Sequence, residues 1–462
     1  LRLLSRTLRN LAVEEILVAG DVGDRGPRID KVMSYLMRQP EVSILWGNHD
    51  VLWMGACLGQ EALIATVIRV SLRYGRLAQL EEGYGIPLLP LQTLARSIYG
   101  QDACERFAPK VCALEDVTQV RRMQKAIAVI QFKLEGQLLA RHPEWDMEER
   151  RLMHRINKAA GTVCIAGQDV PLADTHLPTL DPENPYELTD AERACMEQLT
   201  ASFLHSPVLW EQMTFLFKQG AMYAARDETL LFHACIPIHD DDGRMEMEVD
   251  GRRVGGKDLF DAFSSMLHRA WRDRDTYAVD HLWYLWAGPV SPLFGKDKMA
   301  TFESYFIADK SFATETKNPY FVRIHDAAFC RSIFKEFGMS PERTILVNGH
   351  VPVKVEKGED AVKRGGNAVT IDGAFAEAYG DRGYTMVLEA GRTYLAEHHS
   401  FKSVEDAIIN DADIVPTTRD LCSYTPRRTV SDTQRGGVIR REVQALHRLV
   451  VAYRENLISE HQ

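Results

Sequence analysis

Three short apolar runs along this chain each break off into a polar cluster. EEILV at 14–18 gives way to AGDVGDRGPR, VSILW at 42–46 to GNHD, and TILVNG at 344–349 to HVPV. An apolar run of this length bounded by turn residues predicts a buried strand. Between the first two, RIDKVMSYLM places Ile29, Val32, Met33 and Leu36 on one helical face. Residues 1–50 therefore predict helix, strand, turn, helix, strand, with LRLLSRTLRNLAV as an amphipathic opening helix. Strands alternating with helices imply an α/β layer with parallel pairing.

The pattern changes over 51–220. EALIATVIRVSLRYGRL predicts a helix, and so does MQKAIAVIQFKLEGQLL, where Met123, Ile127, Ile130, Leu134 and Leu138 form one stripe. Thr189 with Glu192 three residues on predicts a capped helix start. At 170 residues the stretch is too long for a loop and reads as a helical insertion between core strands. Strand signal returns in AMYAARDETLLFHACIPI, followed by a hairpin in GRMEMEVDGRRVGG and helical text over roughly 258–285. Further strands are predicted at TILVNG, VKVEKG, NAVTIDG, YTMVLEA and RTYLAEHH, and closing helices at SVEDAIIND and REVQALHRLVVAYRENLI. The expected organisation is a first core part (1–50), the helical insertion (51–220), the rest of the core with inserted loops and helices (221–400), and a C-terminal helical segment (401–462).

Composition narrows the function classes. The 462 residues are 45% hydrophobic and 26% charged, with a formal net charge of −10. That balance disfavours a nucleic-acid partner. No run approaches 18 uncharged apolar residues, so no membrane partner is expected. The eight cysteines include no CxxC pair, which fits a cytoplasmic protein without a zinc knuckle or redox motif.

In open α/β sheets ligands gather beyond the carboxyl ends of strands. Asp21, Asp24 and Arg25 fall there, as do Asn48, His49 and Asp50, then His233 and His350. Oxygen and imidazole ligands without cysteine suit manganese, iron or zinc. Arg25 offers a rigid fork suited to phosphate. Metal ligands beside an arginine and a histidine point to phosphoryl hydrolysis. Each residue also has a structural reading: the aspartates as caps, Asn48 as a turn residue, His233 as a hydrogen-bonded core histidine. What favours the site is their joint occurrence after buried strands.

GDVGDRG and GNHD, 27 residues apart from Asp21 to Asn48, resemble the GDxxDRG and GNH(D/E) motifs of calcineurin-like metallophosphatases. WGNHDVLWMGA, KAIAVIQFKLEGQ, LDPENPYELT, FHACIP, WYLWAGPVSPLFGKDKMATFESYF, ETKNPYF and NGHVPVKVEKGE resemble the class 3 fructose-1,6-bisphosphatases of bacteria, the Firmicutes type, over essentially the whole chain. The resemblance implies a metallophosphatase β-sandwich flanked by helices with a large helical insertion. It implies cytoplasmic, gluconeogenic hydrolysis of the 1-phosphate of D-fructose 1,6-bisphosphate by a hydroxide activated by two metals, most in keeping with Mn2+. Asp21 would bridge the metals, and Asn48, His233 and His350 would complete the second site. His49 would donate a proton or stabilise the oxyanion, and Arg25 would clamp the phosphate. Asp24 and Asp50 would orient Arg25 and His49. Lys296, Lys298, Lys317, Lys354 and Lys357 are candidates for the second phosphate, against a reading as solvated surface. The expected partner is a small sugar bisphosphate, and a homo-oligomer is compatible with the sequence.

The family pattern begins with a strand ending in Asp-x-His, which holds the first metal. The 20 residues before Asp21 contain neither Asp nor His, and residue 1 is leucine. The expectation is an N-terminally truncated chain that does not build the first metal site by itself. Two alternatives stand beside the bisphosphatase: another phosphoesterase such as a Ser/Thr protein phosphatase or a dinucleotide hydrolase, and an inactive fragment kept as a binding module.

Overall fold

The computed structural model describes residues 2–110, 116–372, 383–398, 404–409 and 416–458. It shows the expected mixed α/β architecture, several sheets flanked by helices. One sheet is all parallel, in the order β1 (Ile16–Val18), β2 (Val42–Leu45), β3 (Gly220–Ala221). The second contains β4 (Tyr223–Arg226), β5 (Thr229–Phe232), β6 (Ile345–Asn348) and β7 (Ala368–Thr370) in the order β7-β6-β5-β4. β5, β6 and β7 run parallel, and β4 is antiparallel to β5. Beyond the end of β3, the stretch expected as strand at 221–238 is two strands, β4 and β5, turned at Asp227 with φ 53°. A third, antiparallel sheet holds Gly383–Leu388, Arg392–His398 and Thr417–Ser423.

The sequence between β2 and β3 packs as helices α3 (Asn48–Cys57), α4 (Glu61–Arg73), α5 (Leu89–Tyr99), α6 (Val117–Arg141), α7 (Asp190–Leu204) and α8 (Pro207–Lys218), numbered after α1 (Arg2–Ala12) and α2 (Ile29–Leu36). Thr189 and Glu192 form the anticipated reciprocal cap on α7. α6 is buried along most of its length, lysines included. Lys125 reaches Asp102 at 2.6 Å and Asp174 at 2.7 Å, and Lys133 reaches Glu192 at 2.7 Å. Paired in this way a buried ammonium is tolerated; left alone it would be strongly destabilising. One apolar cluster runs from Ile29 through α3–α8 to Ala368, so the helices and these first two sheets share a core. Three details differ from the sequence reading, the first being that Thr417–Ser423 is a strand inside the C-terminal segment expected to be helical. Residues 156–171 form a small antiparallel sheet inside the helical stretch, and VKVEKG contains a short 3-10 turn at Val355–Lys357 instead of a strand. Glycine at 358, with φ 77°, ends that turn.

The hairpin at Glu246–Val249 and Arg252–Gly255 is present, followed by α9 (Gly256–Asp273) and α10 (Thr276–Ala287). The last helix, Gln434–Arg454, lies largely in solvent. Seven cysteines are free thiols; Cys112 lies outside the described residues.

Candidate active site

β1 ends at Val18, and the chain turns through Gly20 (φ 91°) and Asp21 (φ 56°). A Cβ at Gly20 would stand 2.6 Å from His233 Nδ1, and one at Gly47 would stand 2.2 Å from Asp21 Oδ1. Glycine is therefore required at both places for the two loops to close on each other. Asp50 joins them. Its carboxylate accepts from the amides of Asp21 (2.8 Å), Val22 (3.0 Å) and Gly47 (2.8 Å). The sequence reading had paired Asp24 and Asp50 as groups orienting Arg25 and His49. Here Asp24 meets both, while Asp50 holds backbone. Burial, with the Asp21 charge beside it, pushes the Asp50 carboxyl up to about 7.

His233 follows β5 and His350 follows β6, the latter with φ 67°. His233 Nδ1 lies 2.8 Å from the Ala19 carbonyl oxygen, and His350 Nε2 lies 2.8 Å from that of Phe294. A carbonyl only accepts, so each of those nitrogens carries the hydrogen. The opposite nitrogens, His233 Nε2 and His350 Nδ1, are left with lone pairs, yet they stand 3.2 Å apart. Asp21 Oδ2 is 3.2 Å from the first and 3.8 Å from the second. Two lone pairs and a carboxylate converging in a buried space call for a cation. Burial opposes charge on the His233 ring, but Asp21 and the Ala19 carbonyl outweigh it and push it up to about 9. Asn48 starts α3, and its Oδ1 is buried with no hydrogen-bond partner while its amide donates to the Trp286 carbonyl at 3.4 Å. An orphaned acceptor beside this donor set fits a divalent ion.

His49 Nε2 pairs with Asp24 Oδ1 at 2.8 Å, and Arg25 Nε lies 3.6 Å from the same oxygen. The His49 ring stands edge-on to Trp286, and Nδ1 is buried without a partner. Burial works against its charged form, but Asp24 overcomes it and raises the pKa. Asp21, Arg25, Asn48, His49 and His350 all line one cavity of about 630 Å³. Lys296, Lys317 and Lys354 line it too. Lys298 and Lys357 are not in its wall, and the Lys298 ammonium donates to the Phe312 carbonyl instead. The sequence reading missed Arg69, Arg73 and Lys110, which also line it. The signal was there: two arginines at i and i+4 inside the otherwise apolar VIRVSLR.

A family model described as Firmicute fructose-1,6-bisphosphatase matches residues 1–455. The chain belongs to that family. Relatives named fructose-1,6-bisphosphatase class 3 are 42% identical in Clostridium tetani, 41% in Clostridium botulinum strain Kyoto and 40% in Clostridium novyi. Each alignment covers 99% of this chain and 70–71% of the relative. No solved structure matches. Membership of the Firmicute fructose-1,6-bisphosphatase family makes this a metal-dependent phosphatase by descent. Among the described residues, one cluster could hold a metal, Asp21–His233–His350. That is a single three-ligand set, where the resemblance implied a two-metal centre. No helix among the described residues is long and apolar enough to cross a membrane.

Proposed function

We propose that this chain carries the second-metal half of a fructose-1,6-bisphosphatase centre. Asp21, His233, His350 and Asn48 hold one divalent cation, Mn2+ being the candidate. The cavity beside it takes D-fructose 1,6-bisphosphate by its 1-phosphate, and the products are D-fructose 6-phosphate and phosphate. The observation that carries this reading is the pair of imidazole lone pairs converging on Asp21 at the end of a cavity walled by arginine and lysine. A bound divalent ion would supply charge neutralisation at the phosphate and acidify water. Full turnover by two ions needs a second ligand set beyond the residues described.

The chain's own side chains divide the remaining work. Arg25 presents a planar fork to the phosphate oxygens. Asp24 steadies that fork and the His49 ring together. With Nε2 held by Asp24, Nδ1 is where His49 can hand a proton on. As the P–O1 bond breaks, that proton goes to the alkoxide on C1, leaving a hydroxyl on fructose 6-phosphate. Water supplies the oxygen that phosphorus gains.

Elemental analysis of the protein after Mn2+ loading and gel filtration tests the metal assignment. One equivalent per chain is expected, lost in His233→Ala. No retained metal, or two equivalents, overturns it. Calorimetry with fructose 1,6-bisphosphate tests the substrate. Binding that weakens in Arg25→Gln supports the assignment, and absence of binding removes it.

A further inference from the structure

The cavity has two cationic walls, and they are built differently. On one side stand Lys296, Lys317 and Lys354. Lys296 is committed to Glu315 at 2.6 Å. Lys317 has its pKa lowered by burial and by the neighbouring lysines 354, 296 and 357, with Glu359 acting the other way. This wall repels itself.

The other wall is the face of α4. Arg69 and Arg73 are four residues apart and so point the same way. Arg69 is 6% exposed, and its Nε donates to Gln131 Oε1 at 2.6 Å. The Arg73 guanidinium lies 5.1 Å over the Tyr305 ring. Tyr305 is itself buried and held at its hydroxyl by Gln124 at 2.7 Å. Lys110 lies 5.4 Å over the Tyr74 ring, and Arg25 5.0 Å over the same ring. Among the described residues no carboxylate forms an ion pair with Arg69, Arg73 or Lys110. The buried Arg69 guanidinium is hydrogen-bonded to a neutral partner and feels the Glu135 carboxyl without pairing with it, so an anion in the cavity would complete its charge pairing. Arginine forks also match phosphate oxygens bidentately, which ammonium groups do not.

We infer that Arg69 and Arg73, with Lys110, bind the second, non-reacting phosphate, the one on C6 of the sugar. This deepens the bisphosphatase reading and rests on it. Arg25 holds the phosphate next to the metal ligands; the α4 arginines hold the other across the same cavity. Tyr74 links the two stations because its ring carries Arg25 and Lys110 together. The second phosphate then orients the sugar, and its binding energy aligns the first for reaction.

The test uses fructose 6-phosphate, which carries the distal phosphate alone, so it needs no turnover. Calorimetry is run on the whole chain, wild type against Arg73→Gln, Arg73→Lys and Lys110→Gln, with Lys335→Gln on a remote exposed surface as the charge control. A charged hydrogen-bonded pair corresponds to about a 10- to 100-fold change in affinity. Arg73→Gln is expected to weaken fructose 6-phosphate by that factor, Arg73→Lys by less, and Lys335→Gln not at all. Thermal melts confirm that the variants fold; Arg73 is only half-buried, which favours a folded Arg73→Gln. If wild type binds fructose 6-phosphate and Arg73→Gln and Lys110→Gln bind it equally well, the inference fails while the sugar-phosphate reading stands. If wild type binds neither fructose 6-phosphate nor the bisphosphate, the substrate reading itself fails.

Discussion

His233 and His350 face Asp21 at the strand ends, while His142 and His281 pack beside Asp280, between α6 and α10. Both sites bury two histidines and an aspartate, yet their hydrogen bonding differs. In the second, His142 places Nδ1 2.8 Å from Glu144 and Nε2 3.0 Å from Asp280. Asp280 also accepts from Gln60 at 3.2 Å and Arg141 at 3.0 Å. Charge is matched by charge, and the His142 ring stacks on Trp145 at 4.1 Å. His281 donates from Nδ1 to the Tyr277 carbonyl, and its bare Nε2 lies among rings, with Trp145 edge-on at 5.2 Å. Nothing there converges on an empty position. At Asp21 each ring has its outer nitrogen pinned to a carbonyl, so that its inner lone pair is aimed at the same space. Burial and a carboxylate are common to both sites, and what separates a ligand from a core histidine is which nitrogen is left over and where it points.

The sharpest way to break this contrast is to remove each aspartate. Asp21→Ala is expected to abolish retained Mn2+, and metal-dependent phosphate release with it, while urea unfolding changes little. A variant that keeps its metal by elemental analysis would show that the two histidines suffice. Asp280→Ala is expected to leave metal content untouched and to destabilise by about 1.5–3 kcal/mol, since the buried His142 and Gln60 lose a charged hydrogen-bond partner while the half-exposed Arg141 is solvated. Unchanged urea unfolding would refute the structural assignment.

Acid offers a finer probe of the same cluster. Burial, together with the charge on His142, lowers the His281 imidazole to about 4. Glu144 and Asp250 act in the opposite direction, as does its bond to the Tyr277 carbonyl. The unfolded chain takes up this proton near its ordinary value, so the folded form loses stability as pH falls from about 6.5 to about 4, by about 3 kcal/mol. His142 is raised, not lowered; burial opposes this, and Asp280 and Glu144 prevail. Its contribution is lost only as pH climbs through that raised value, outside the acid window. Urea unfolding across pH 7 to 4 should therefore fall less steeply in His281→Phe than in wild type, and equal slopes would assign the acid sensitivity elsewhere.

His49 stands between the two cases, one nitrogen matched by Asp24 and the other unclaimed. His49→Asn is expected to retain metal and to slow phosphate release by the metal-loaded protein about 10²-fold, the lower range for a positioned proton donor. Loss of metal would move His49 into the ligand set.

Much of this was legible from the chain. The apolar runs ending in Val18, Trp46, Phe232 and Val347 announce buried strands, and a buried parallel strand offers its side-chain chemistry only past its end. Asp21, Asn48, His233 and His350 could be picked out on that ground. The partner of Asp50 could not, because its three backbone amides come from two loops whose approach depends on Gly20 and Gly47. Arg69 and Arg73 were hidden for another reason. In sequence they sit inside an apolar helix, and only the packing of α4 against α6 and the short helix Thr301–Phe306 that bears Tyr305 turns them toward the cavity. The turn at Val355–Lys357 alternates like a strand but pairs with no strand among the described residues, so local pattern gave way to tertiary context.

The three bonds made by Asp50 have a consequence for how this centre tolerates change. GDVGDRG and GNHD are fastened to each other by a carboxylate, not by the run of chain between them. The surface turn at 38–40, which joins α2 to β2, makes none of these three bonds. Residues inserted there would lengthen the connection and leave the ligands where they are, because loop length enters the closure entropy only logarithmically. Asp50 thus makes two distant motifs into one mechanical part, with a replaceable hinge between them.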